Sequence, residues 1–153
     1  MMPAPTIALE VIFASSALAG TLDILATSTV MRSQGVPLQR LLQFIASGAL
    51  GTSSFEGRNR TATLGLILHF LIALILATIF YALTIPLPVI LQHPWFYGAF
   101  FGVGVHLTMS RIVVPLSRAA KRPFSLNAFI TQLAIHILCV GIPIALTQHA
   151  ILR

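Results

Sequence analysis

Residues 66–83 read LILHFLIALILATIFYAL, with His69, Thr78 and Tyr81 as the only side chains that carry a polar atom. An α-helix needs about 20 predominantly apolar residues to cross a hydrocarbon core of roughly 30 Å. A helix that is apolar all round has no face to turn to water, and a spanning segment must satisfy its backbone internally, which a helix does. The run therefore decides the fold class: an all-α, polytopic membrane protein. Read with its flanks, it is a span over about 62–83. Three further segments are long enough, at about 7–29, 96–115 and 126–147. Glu10 and Asp23 interrupt the first of them. The expectation is a single transmembrane domain over 1–153, a four-transmembrane-helix bundle.

Composition agrees. Hydrophobic residues make up 57% of the chain and charged ones 8%, against about 25% charged in a soluble domain. The mean hydropathy is +0.95, the net charge +6 and the pI about 11.2. A basic chain raises the question of nucleic acid, but that needs a basic patch on a soluble face. Here the basic residues lie between apolar segments, so no nucleic acid is expected. Cys139 is the one cysteine and lies inside an apolar run, which excludes a disulfide framework within the chain.

The placement of charge orients the bundle. Arg32, Arg40, Arg58 and Arg60 lie between the first and second segments, and Arg111, Arg118, Lys121 and Arg122 close the third or precede the fourth. Of the nine basic residues only Arg153 falls elsewhere. The positive-inside rule makes these two connections cytoplasmic, so both termini are expected on the far side. Trp95, Tyr81 and Tyr97 sit where an aromatic belt belongs at the opposite interface. The cluster SRAAKRP (117–123) is expected to meet anionic headgroups through Arg118, Lys121 and Arg122. Ala17-Leu18-Ala19 has the small-x-small look of a leader cleavage site, but no basic residue precedes it, so the first helix is expected to stay.

In GVPLQRLLQFIASGALG (35–51), Pro37 can open a helix at its first position. Leu38, Leu41, Leu42 and Ile45 then recur at i, i+3, i+4 and i+7, opposite Gln39, Arg40 and Gln43. This predicts an amphipathic helix over about 37–48, too short to span. It suits the cytoplasmic interface or a cap over the bundle end.

Chemistry is plausible at four positions. Asp23 in SALAGTLDILATS, His69 in LGLILHFLIALILAT, His106 in GAFFGVGVHLTMSRIVV and His136 in ITQLAIHILCVGIPIAL each stand inside a span. Ionisable groups at membrane depth are costly and usually face a bundle interior or a cavity. Each also shares a helical stripe with small or polar residues: Ser16, Gly20, Asp23 and Thr27; Gly65, His69, Ala73 and Ala77; Gly98, Gly102, His106 and Ser110; Gln132, His136 and Cys139, with Pro143 beyond. Small residues let helices approach closely, and polar ones bond across the contact. By helical rise the four ionisable groups fall in the inner half of the bundle, with Arg111 a candidate counter-ion for Asp23. Three imidazoles and a carboxylate are the donors that transition metals use, so Asp23, His69, His106 and His136 are candidate metal ligands. The three histidines are also candidates for a cofactor such as haem, with Gly102 leaving room for the ring. A proton or ion path is a further reading. The bland one is that these groups hydrogen-bond one another and fix the packing, in which case no cofactor is expected.

GTLDIL (20–25), LLQFIASGALG (41–51), LGLILHF (64–70), VVPLSR (113–118) and HILCVGIPIAL (136–146) together resemble a family of uncharacterised bacterial four-helix integral membrane proteins. The likeness covers nearly the whole chain and implies a bacterial inner-membrane protein, which puts both termini in the periplasm. It implies no activity. The Arg- and Glu-bearing motifs of the small glutathione-transferring membrane enzymes are missing. Two function classes follow. The first is a structural or accessory membrane component, in contact with a membrane-protein partner or further copies of itself. The alternative is a membrane-embedded His/Asp site that handles a metal, haem, protons or a small lipid-soluble molecule.

Overall fold

The computed structural model describes residues 5–121 and 123–153. Arg122, one of the three expected headgroup contacts, lies outside them. Helices α1 (Pro5–Ser33), α3 (Arg58–Thr84), α5 (Pro94–Leu116) and α6 (Leu126–Leu152) are each long and apolar enough to cross a membrane. Between them lie α2 (Leu38–Leu50), a 3-10 turn over Gly51–Phe55 and the short α4 (Val89–Gln92). No strand forms among the described residues.

The turn between α1 and α2 explains where α1 stops. Gly35 has φ +79°, its N–H donates to the Arg32 carbonyl (3.0 Å), and the Val36 N–H donates to the Met31 carbonyl (2.9 Å). This paired cap needs a left-handed residue, which glycine supplies at least cost. Pro37 follows as the flanking residue of α2, one position before the helix starts. Helix α2 buries Leu41 and Leu42 and leaves Leu38 half exposed. Gln43, assigned by its spacing to the polar face, is only 3% exposed. Its side-chain N–H donates to the Arg58 carbonyl at 3.1 Å, in the first turn of α3. Helix α2 is thus tied to the start of α3. It comes so close that a Cβ on Gly65 would lie 1.9 Å from the Leu42 carbonyl oxygen.

Helix α1 is the hub, packing on α3 along one side and on α6 along another, while α5 packs on α6. Helices α3 and α5 meet at Phe80 and Phe101, edge to face with ring centroids 5.0 Å apart. The buried core, Ala19, Ala77, Phe80, Val140, Ile144 and Ala145, lies at this level and toward the end that carries Trp95. There the Gln148 amide donates to Ser15 Oγ (3.2 Å) and the Ala77 carbonyl (2.9 Å), pinning α6 to α1 and α3. The other end carries α2. Arg32, Arg40, Arg58, Arg60, Arg118 and Lys121 are exposed there.

Helices α5 and α6 each contain one widened, π-helical turn, at Met109–Val113 and His136–Gly141. Each turn ends just before a proline, Pro115 or Pro143. A proline inside a helix lacks the N–H donor, and its ring crowds the carbonyl four residues earlier. Those carbonyls belong to Arg111 and Cys139, both in the widened turns, and the extra residue relieves the crowding. It also changes which way each helix faces. Arg111 points outward and is exposed, so it is not the counter-ion of Asp23 that its position along the helix suggested.

Candidate functional site: a cavity between four helices

Helices α5 and α6 touch backbone to backbone. A Cβ on Gly141 would fall 2.1 Å from the Gly98 carbonyl oxygen, and one on Gly102 would fall 2.7 Å from the His136 carbonyl oxygen. One turn beyond Gly102, the rings of His106 and His136 meet, with Nδ1 to Nδ1 3.2 Å apart. One N–H donates to the other ring's lone pair. His106 is 3% exposed and stands edge to face on Phe129 at 4.5 Å. Its outer nitrogen, Nε2, is buried and has no hydrogen-bond partner among the described residues.

Helices α1 and α3 carry the other pair. Gly20 lies against the Phe70 ring and Ala73, and its carbonyl accepts from His69 Nε2 at 2.8 Å. A carbonyl can only accept, so Nε2 carries a proton and the remaining nitrogen, Nδ1, faces Asp23 Oδ2 at 3.9 Å. Asp23 Oδ1 is buried without a hydrogen-bond partner among the described residues. His136 stands within electrostatic reach of Asp23 and His69.

Both pairs border one cavity of about 740 Å³. Gly20, Leu76 and Val140 form its floor, at the level of the packed core. Its walls continue along α1 through Asp23, Thr27 and Met31 to Gln34, about 21 Å by helical rise. Phe44 and Ile45 of α2 close part of the α2 end. Phe124 and Asn127, both exposed, stand at the mouth. The four sequence-selected groups, Asp23, His69, His106 and His136, all line this space, and its remaining walls are mainly apolar. An apolar pocket with a few convergent polar groups is the usual form of a small-molecule site.

The arrangement differs from the expected one in three respects. The room left by Gly102 is filled by the backbone of α6, so it offers no slot for a haem ring. Among the described residues no group of three His, Cys, Asp or Glu side chains is placed to hold a metal ion. Gly141, which lies against the α5 backbone at Gly98 and Gly102, is outside the stripe expected on the fourth helix. A stripe of unbroken helical period misses the widened turn at His136–Gly141. Pro143 was the available signal.

Comparison with protein-family models, curated proteins and solved structures finds no match to this chain. The family likeness therefore rests on the sequence motifs alone.

Proposed function

We propose that the protein is a multi-pass membrane protein that holds a small lipid-soluble molecule in its bundle. The observation that carries this reading is the 740 Å³ cavity lined by Asp23 and His106, whose buried Oδ1 and Nε2 have no hydrogen-bond partner among the described residues. Buried polar groups in native proteins are nearly always paired, and an exception calls for a reason such as a bound molecule. A purely structural or accessory component needs no such space, although the His69–Gly20 and His106–His136 bonds also fix which helices meet.

Orientation follows from charge. The six exposed basic side chains at the α2 end favour a cytoplasmic placement of that end. The cavity mouth then opens at the cytoplasmic face of a bacterial inner membrane, both termini are periplasmic, and Arg118 and Lys121 stand at headgroup level. A reporter fused to the C-terminus should be active only in the periplasm.

Occupancy is tested with labelled 2-methoxynaphthalene, an apolar probe, on the protein in lipid nanodiscs with empty discs subtracted. Saturable binding is expected, and Thr131→Trp, which places an indole in the cavity wall, should abolish it. Equal uptake by the wild type and Thr131→Trp would sink the reading.

A further inference from the structure

Resting on that cavity reading, we infer that the occupant is a single long alkyl chain with an anionic head, taken up from the cytoplasmic leaflet. The head stays at the mouth and the chain runs down to the floor. The cavity has the depth of one leaflet. Helix α1 has 29 residues and is about 43 Å long, close to the 40–45 Å of a bilayer with its headgroup regions. Gly20, on the cavity floor, stands one residue past the midpoint of that helix, and the wall reaches Gln34, just beyond its end. The space thus runs about 21 Å from the midplane to the interface, the same stretch that a lipid chain and its head occupy. Along it the walls are apolar, with Ile24, Val30 and Met31 on one side and Phe44, Ile45 and Val114 on others. Asp23 Oδ1 and His106 Nε2 are buried within the deep wall, so selection of the head falls to the mouth.

The mouth lies in a basic field. Six exposed basic side chains share that end of the bundle with one carboxylate, Glu56. Two of the six flank the opening. Lys121 is two residues from Pro123 and Arg32 two residues from Gln34, and both Pro123 and Gln34 line the cavity. Consecutive Cα atoms are about 3.8 Å apart, so each cation is anchored within about 8 Å of a lining residue. Such charges attract an anionic head at the membrane surface, repel a cationic one and give a neutral one nothing. Phe124, 72% exposed at the same mouth, offers an apolar threshold on the lipid side. A free fatty acid and one chain of an anionic phospholipid share the required chemistry.

The test is photolabelling in phosphatidylcholine nanodiscs at pH 8, with palmitate that carries a diazirine at its chain end. Labelled residues are mapped by mass spectrometry. Labels should fall on the floor, at Gly20, Leu76 or Val140, and unlabelled palmitate should compete. A diazirine beside the carboxylate should instead label the mouth, around Gln34 and Phe124. The hexadecanol counterpart should label the floor at least about fivefold less, and the double variant Arg32→Gln, Lys121→Gln should cut that preference at least about threefold. Phosphatidylglycerol with the same chain-end diazirine forms the second arm. Floor labelling by palmitate alone identifies a free acid, and labelling by the phospholipid alone identifies one chain of a membrane lipid; either supports the inference. Chain-end labels confined to exposed residues such as Leu25 and Leu71, or equal floor labelling by the acid and the alcohol, overturn it. The cavity reading then stands if 2-methoxynaphthalene still binds in a manner sensitive to Thr131→Trp, and falls if it does not.

Discussion

Gln148 and His106 are both buried polar side chains on long apolar helices, the first near the Trp95 end of the bundle and the second near the middle of α5. Gln148 is completely buried and its amide donors tie three helices together. His106 is nearly as buried and lines the cavity, yet one of its two nitrogens has no hydrogen-bond partner among the described residues. Around Gln148 lie Phe80, Ile144 and Ala145, each at 0–1% exposure. Around His106 the helices part. The difference shows what small residues do in each place: Ala77 and Ala145 let side chains interlock, whereas Gly98, Gly102 and Gly141 bring two backbones together. One end has the pattern of stability and the other that of a site.

The largest effect should come from the glycine seam that joins the two ends. A Cβ at Gly141 already falls 2.1 Å from the Gly98 carbonyl and 2.6 Å from the Gly102 nitrogen. Both obstacles are backbone, so α5 and α6 must separate and the His106–His136 contact must break. Gly141→Leu should cost more than the ~1–3 kcal/mol typical of overpacking a core. Size-exclusion profiles on heating should lose the monodisperse species well below the wild-type temperature. A wild-type profile would break the comparison at its base.

A second experiment sharpens the contrast by removing volume from each end. Phe80 is 1% exposed and stacks edge to face on Phe101. Phe80→Ala should cost about 3 kcal/mol, the low end for this change because lipid also solvates apolar surface. Met31 lines the cavity and already borders empty space. Met31→Ala should cost less than about 1 kcal/mol, since few contacts are lost. Equal losses in thermal stability would mean that the α2 end is as tightly packed as the other.

Much of this contrast was legible in the sequence, and the part that was not has a physical cause. Four helices follow from four apolar runs, because nothing but a self-bonded helix suits them. The inward facing of Asp23, His69, His106 and His136 follows from the cost of turning them to lipid. The cavity does not follow. Stripes of small residues predict close approach, and a single helix pattern does not tell on which side of a contact the space remains. Two local events also escaped the period. The widened turns before Pro115 and Pro143 rotate Arg111 outward and bring Gly141 to the seam. Gln148 lay beyond a span drawn to residue 147, whereas the helix runs on to Leu152. Gln43 was misassigned for a different reason: its partner, the Arg58 carbonyl, belongs to the start of the next helix and cannot be seen from α2 alone.

The smallest effects should differ in sign, and they bear most directly on what the two ends are for. Gln148→Leu removes donors to Ser15 Oγ and the Ala77 carbonyl, two bonds that span three helices. Hydrogen bonds between membrane helices average ~0.6 kcal/mol, so the loss should be about 1 kcal/mol and lower the unfolding temperature. His106→Phe also removes one inter-helix bond, to His136 Nδ1, but it removes the unpartnered Nε2 as well and keeps an aromatic ring against Phe129. An unsatisfied buried polar group costs about 1–3 kcal/mol, so this exchange should leave stability unchanged or raise it by up to ~1 kcal/mol. The comparison is made on ligand-free protein in one detergent, by unfolding both variants beside the wild type. Destabilisation by His106→Phe as large as that by Gln148→Leu would show that Nε2 is held by a partner within the bundle, and that the histidine pair serves packing as Gln148 does. A neutral or stabilising result would mark His106 as a residue retained at the expense of stability, which is expected of a group kept for what enters the cavity.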